Sequence, residues 1–292
     1  MAFSIVEVKL GDKNYPRLLS KISDPPKKIY CRGNLDLFHT NCLAVVGTRK
    51  ITSYGKEVTE KIVSGLSESG FTIVSGLALG IDAVAHRTAL DYNMPTIAVL
   101  GSTIDDTGIG PRSNFPLAQE ILNNGGLIIS EYRNKDDIYR ANFAIRDRIV
   151  SGLSLGVLVI EGAEKSGSLI TARSAVDQNR DVFAVPGSIF SQTSAGTHWL
   201  IKNGAKLVTS AADILEDYDK NIKLDLSASN QISTRDPIQQ KILVILDDKG
   251  ELTTDEVIKE SKLETSQVIT ALSMLELQNK IKQRSGKYSL CS

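Results

Sequence analysis

Between Leu43 and Val208 the chain repeats one pattern: short β-branched runs, several apolar at every position, alternate with segments of helical periodicity. The runs are Leu43–Gly47, Phe71–Ser75, Thr96–Leu100, Leu127–Ser130, Gly156–Ile160, Asp181–Val185 and Lys206–Val208. A strand with one wet face alternates apolar and polar residues, whereas an unbroken apolar run needs cover on both faces. Between the runs, Val58, Ile62, Val63 and Leu66, then Ala83, Val84 and Ala89, recur at helical spacing. Strand and helix in strict alternation predict an α/β fold with a doubly wound parallel sheet over residues 41–218.

The flanks read differently. Residues 1–40, with Pro16, Pro25 and Pro26, are expected to form a lead-in packed on that core. Residues 219–236 are polar, without a period, and read as a linker. Residues 237–292 predict a helix at 238–248, a second entered through Thr253 or Thr254 with Glu256 nearby, a third from Thr265 to Gln278, and a hairpin turning at Ser285-Gly286. Three helices closed by a β-ribbon form a small C-terminal winged-helix domain, a variant of helix-turn-helix.

Composition narrows the function. A chain of 292 residues with 41% apolar and 23% charged residues can bury a core in each of two units. Its 34 Lys plus Arg equal its 34 Asp plus Glu, so any polyanion must meet a local basic patch. No run reaches the roughly 20 apolar residues of a membrane span, and the start shows no export leader, so a cytoplasmic location is expected. Cys31, Cys42 and Cys291 lack C-x-x-C spacing, which predicts reduced thiols and no metal site. No cofactor is expected.

In an open parallel sheet, ligands bind beyond the carboxyl ends of the strands. The loops there are rich in Gly, Ser and Arg. Gly47-Thr48-Arg49-Lys50 follows the first run, and Ser75-Gly76 opens a loop closed by Gly80 before Asp82. Asn142 to Arg148 brings Phe143, Arg146 and Arg148, and Lys165-Ser166-Gly167-Ser168 precedes another helix. Glycine turns allow close backbone approach, and helix-start amides point at anions. Several such elements along one rim suit a polyanionic strand better than a single nucleotide, with Phe143 as a candidate base platform. A second reading of the same residues has Arg146 and Arg148 pairing with Asp147, Glu131 or Glu164, and Phe143 in the core. His86 and Trp199 read as packing residues. Enzyme templates are missing: there is no Walker A sequence, no G-x-S-x-G, no H-E-x-x-H, and no G-x-G-x-x-G after the first strand.

Taken in order, Gly47-Thr48-Arg49, the Ser75–Asp82 loop with His86, Phe143–Arg148, Ser166-Gly167-Ser168-Leu169-Ile170-Thr171-Ala172-Arg173 and Val185-Pro186-Gly187-Ser188 resemble the DNA-processing A family, also called Smf. The resemblance implies an extended Rossmann-like domain that binds single-stranded DNA, protects incoming DNA, dimerises and helps load a RecA-type recombinase during natural transformation. It implies a binding protein and not an enzyme. It places DNA contacts on Arg49, Phe143, Arg146, Arg148 and the Ser166–Ser168 loop. The chain departs from the family pattern at Asp147, where Asn is usual, and at Leu79, where a basic residue is common. The competing class is a nucleoside monophosphate-processing hydrolase of a related fold, for which Asp82 and Glu161 would be the carboxylates.

Overall fold

The computed structural model describes residues 3–133, 139, 141–225, 237–277, 280–284 and 286–290. Its contacts divide the chain into two units, Met1–Ile222 and Lys223–Ser292.

The first unit is built on one nine-stranded sheet. In chain order its elements are β1 (Val6–Lys9), β2 (Lys28–Gly33), β3 (Cys42–Val46), α1 (Ser53–Gly65), β4 (Thr72–Ser75), α2 (Ile81–Asp91), β5 (Thr96–Thr103), α3 (Phe115–Asn123), β6 (Leu127–Tyr132), α4 (Asn142–Leu153), β7 (Gly156–Val159), α5 (Ser168–Asp177), β8 (Asp181–Ala184), α6 (Ala195–Lys202), β9 (Lys206–Leu207) and α7 (Ala211–Asp225). The strands lie in the order β1-β2-β6-β5-β4-β3-β7-β8-β9. All pairs from β6 to β9 are parallel. Both faces of the sheet are buried, as the apolar runs require. Ile97 and Val99 of β5 enter one core together with Ile149, Val150 and Leu153 of α4. Ala98 and Leu100 enter the other with Leu117, Ile121 and Leu122 of α3.

The lead-in does more than pack on the core. β2 pairs antiparallel with β6, and β1 with β2, so residues before 40 extend the sheet itself. Ile29 and Cys31 face one core and Tyr30 the other. Helix α7 continues to Asp225, past the boundary read at Tyr218; residues 226–236 of the expected linker lie outside the described residues. Cys31 and Cys42 are buried free thiols, and burial pushes both up to about 12. Among the described residues no helix is long and apolar enough to cross a membrane.

The second unit has α8 (Pro237–Lys249), β10 (Leu252–Thr253), α9 (Thr254–Ser261), α10 (Thr265–Leu277), β11 (Ile281–Arg284) and β12 (Lys287–Leu290). Thr253 caps α9 in a reciprocal capping box with Glu256. β11 and β12 form the wing, and β10 adds a third strand on β12. Ile242, Leu246, Val257, Val268, Leu272, Leu275 and Ile281 make a core of its own.

Candidate nucleic-acid interface

Strand β3 pairs with β4 on one side and β7 on the other, and the chain order reverses there. The loops after β3 and β7 therefore diverge and leave a crevice at the carboxyl edge. A cavity of about 380 Å³ opens at this place, lined by Gly47 and Arg49, Gly76 and Ala78, Asp82, Arg146 and Asp147, and Ser166 to Ser168 with Thr171.

The floor comes from α4. Arg146, Ile149, Val150 and Leu153 share its buried face, which carries the guanidinium under the end of β4. Arg146 Nη1 donates to the carbonyls of Gly76, at 2.7 Å, and Val99, and Nε donates to Asp147 Oδ1 at 3.0 Å. This ion pair is the second reading of the sequence realised. Gly76 is required by the arrangement: a Cβ there would sit 2.6 Å from the guanidinium. Nη2 has no hydrogen-bond partner among the described residues, on a guanidinium that lines the cavity.

Two carboxylates share this floor. Asp82 accepts the amides of Gly76 at 3.1 Å and Ala78 at 3.3 Å, and burial raises its pKa against the opposing pull of Arg146. Burial also pushes Asp147 up to about 6, with Arg146 and Arg49 lowering it and Asp82 raising it. The rim is cationic and dipolar. Arg49 is exposed and in no salt bridge among the described residues. Across the cavity stands the start of α5, where Ser166 and Ser168 hydroxyls pair at 2.9 Å. Lys165 stands exposed on the same loop.

The structure thus gathers Gly47, Arg49, Gly76, Arg146, Ser166, Gly167 and Ser168 around one cavity. Thr48 and Lys50 belong to the loop beside it: Lys50 is exposed, and its amide donates to the Thr48 hydroxyl. Other expected residues serve the frame. Ser75 is fully buried and donates to the Val45 carbonyl at 2.6 Å. Gly80, at φ +80°, makes the turn into α2 against the Thr48 carbonyl. Phe143 is half-buried with its ring against Gly101.

Arg148 lies outside the cavity lining. Residues two apart on a helix point to different sides, so Arg148 leaves the face of Arg146 and binds Asp24 at 3.1 Å and Glu131 at 2.8 Å. His86 is fully buried, bonded to the Thr96 hydroxyl at 2.7 Å and driven down to about 3 by desolvation, as a packing histidine should be. Trp199 was expected in packing, yet it is 39% exposed beneath the Arg173 guanidinium.

Sequence reasoning treated Glu161 only as a hydrolase candidate and missed what it does. Its buried carboxylate accepts the Thr52 hydroxyl and the Thr193 hydroxyl, each at 2.8 Å, and the Thr52 amide at 3.3 Å. It ties the loops after β3, β7 and β8 together at the first turn of α1, where an N-terminal dipole favours an anion. Thr52, placed as an N-cap before Ser53-Tyr54-Gly55, was the available signal.

Comparison with known proteins agrees with this architecture. Residues 7–219 match the family model described as DNA recombination-mediator protein A, and residues 227–287 match the DprA winged helix domain. Protein Smf of Escherichia coli K12 is 40% identical over 280 residues, which cover 94% of this chain and 74% of the relative. The solved structure of DNA processing protein A from Streptococcus pneumoniae superposes with a TM-score of 0.69 at 42% identity, covering 73% of this chain and 74% of that one. DNA processing protein A from Helicobacter pylori, whose structure describes a single-stranded DNA binding mode, gives 0.66 at 32% identity, covering 75% and 97%. The chain is a two-unit α/β and winged-helix protein of DNA processing. It belongs to the DNA recombination-mediator protein A family.

Proposed function

We propose that this protein binds single-stranded DNA along the carboxyl edge of its sheet, holding one backbone phosphate in the cavity at the switch point. The observation that carries the reading is the convergence of Arg49, the Nη2 edge of Arg146 and the start of α5 on a single cavity. Phosphate oxygens accept from guanidinium groups, and the dipole at a helix start favours their charge. Phe143, Lys50 and Lys165 extend this surface with a ring and two cations, and the Helicobacter pylori relative, with its described single-strand binding mode, supports the same assignment.

The strand so held is presented to a RecA-type recombinase in the cytoplasm, protecting incoming DNA during transformation. The protein acts as a homodimer. Ile170 and Val176 of α5, Trp199 of α6 and Leu207 on the edge strand β9 are exposed apolar side chains available to a second copy. No catalysis is assigned: Asp82 and Glu161, the carboxylates a hydrolase would use, accept hydrogen bonds from the protein's own amides and hydroxyls. The test is a mobility shift with single-stranded against double-stranded oligonucleotides, followed by addition of purified recombinase. Preference for the single strand and faster filament assembly support the reading; equal binding of duplex defeats it.

A further inference from the structure

The turn after β8 departs from ordinary turn chemistry. The Ser191 amide donates to the Ser188 carbonyl at 3.0 Å, closing a turn whose central residues are Ile189 and Phe190. Central turn positions favour Gly, Pro, Asn or Asp. Here they hold two large apolar side chains, 81% and 92% exposed, and Phe190 is the most exposed large apolar residue described.

The turn is fastened on both sides. At its entry the Tyr54 hydroxyl donates to the Pro186 carbonyl at 2.6 Å. At its exit the Ser191 and Thr193 hydroxyls pair at 2.8 Å, Thr193 donates to Glu161, and the Gly162 amide donates to the Thr193 carbonyl at 2.7 Å. The turn is therefore anchored to the loop after β7 and to the first turn of α1, and the ring it carries stands in water. An exposed ring on a turn flanked by the Ser188, Ser191 and Thr193 hydroxyls, anchored to the loop that carries Lys165, fits a single-strand groove, where bases stack without sequence preference. The centre of a protein interface is depleted in lysine and serine.

We propose that Phe190 is a stacking platform for a nucleobase of the bound single strand, extending the site from the cavity across the loops after β7 and β8. This rests on the single-strand reading of the cavity, and the test separates the two. Full-length protein is titrated with oligothymidine of about 5 and about 20 nucleotides, the shorter long enough for the cavity alone. Phe190→Ala should weaken binding of the longer strand about 5- to 50-fold and leave the shorter within about twofold. Phe190→Tyr should restore it, and Phe190→Trp should add to the emission of Trp199 a second indole signal that the longer strand quenches. Because the ring is in solvent, Phe190→Ala should melt with the parent. Unchanged affinity of Phe190→Ala for the longer strand overturns the platform, as does a shift to a smaller oligomer in sedimentation, which would make the ring a contact between copies. Arg49→Ala, run in parallel, should lose both lengths. If it loses neither while Phe190→Ala loses the longer, the cavity reading fails and the platform stands.

Discussion

At the carboxyl edge of the large sheet, Arg49 and Lys165 stand exposed without salt bridges among the described residues, beside the start of α5. The helix that a winged domain ordinarily lays in the major groove, α10, carries Glu276 and no Lys or Arg. Both are places where the fold class meets ligands, yet only one is equipped for a polyanion. The edge is also fixed from beneath, by Arg146 under Gly76 and by Glu161 joining three loops. The outer side of α10 has Ser266, Gln267 and Thr270 above a shallow hollow shared with Ile238 and Met274. Fold class fixes where a ligand can go; the charges placed there decide whether one does.

The largest effect expected from this contrast is on stability. Glu161→Leu takes the acceptor from the Thr52 hydroxyl and amide, and leaves the Thr193 hydroxyl with Ser191 alone. At about 1–3 kcal/mol for a polar group left unsatisfied, and with Thr52 and Thr193 half-buried, it should cost about 2 kcal/mol in denaturant unfolding. Ser266→Ala on α10 should stay within about 0.5 kcal/mol. A loss below about 1 kcal/mol for Glu161→Leu would mean that the loops hold themselves, and the edge would be no better fixed than the helix.

Binding should discriminate next. Arg49→Ala should weaken single-strand affinity about tenfold or more, the worth of a charge-assisted hydrogen bond, and lower the magnitude of the salt slope by about 0.7. Arg148→Ala should change neither, because Asp24 and Glu131 already hold that guanidinium. Its cost should appear in thermal unfolding, where Glu131 is left without its partner. Equal losses of affinity from the two variants would move the DNA path off the cavity.

Much of this edge was legible in the sequence because backbone patterns are local. The apolar runs gave the strands to within a few residues, and the glycine and serine loops marked the carboxyl rim. What was not legible depends on three-dimensional register. Arg146 and Arg148 look equivalent on paper, but a helix turns them to different surroundings, one under β4 and one toward Asp24. Gly76 invites a phosphate reading, and its missing Cβ makes room for a guanidinium. β1 and β2 escaped notice because the prolines around them suggested a lead-in without sheet pairing, whereas Lys28–Gly33 lies between the last of those prolines and the next turn.

A smaller effect should sharpen the picture of the cavity. Asp147 titrates near 6 in the folded protein, above the roughly 3.9 of an unfolded aspartate. Between those values the native state binds more protons, so stability falls as pH rises through that window. Asp147→Asn cannot ionise and should remove the decline, gaining at most about 3 kcal/mol above pH 6, the value of about two pKa units. The ionised carboxylate also competes with phosphate for Arg49. Parent affinity for the single strand should therefore drop a few-fold from pH 5 to 7, and the variant should stay level. An unchanged pH profile in the variant would remove Asp147 from the binding site.

The smallest expected effect is on the winged domain. A recognition helix engages DNA through side chains that donate to phosphates and base edges, and its affinity is dominated by lysine and arginine. In α10 the outward polar row is Ser266, Gln267 and Thr270, and Thr270 already donates to the Ser266 carbonyl at 2.8 Å. Across residues 237–292, Lys241, Lys249, Lys259, Lys262, Lys280, Lys282, Arg284 and Lys287 are matched one for one by Asp247, Asp248, Glu251, Asp255, Glu256, Glu260, Glu264 and Glu276. Several of the cations are further occupied: Lys249 pairs with Glu260 at 2.7 Å, Lys259 and Lys287 lie close enough to Glu256 to lower its pKa, and Lys259 and Lys262 do the same to Glu260. Only the wing, with Lys280, Lys282, Arg284 and Lys287, keeps a local excess of positive charge. Replacing Ser266, Gln267 and Thr270 together by alanine in the full chain should therefore alter affinity for either single strand or duplex by less than about twofold. The fragment 223–292, which has its own core, should show no micromolar duplex binding at about 150 mM salt, where a basic recognition helix still binds. Micromolar duplex binding lost in the triple variant would place a reader on α10 and erase the contrast between the two regions.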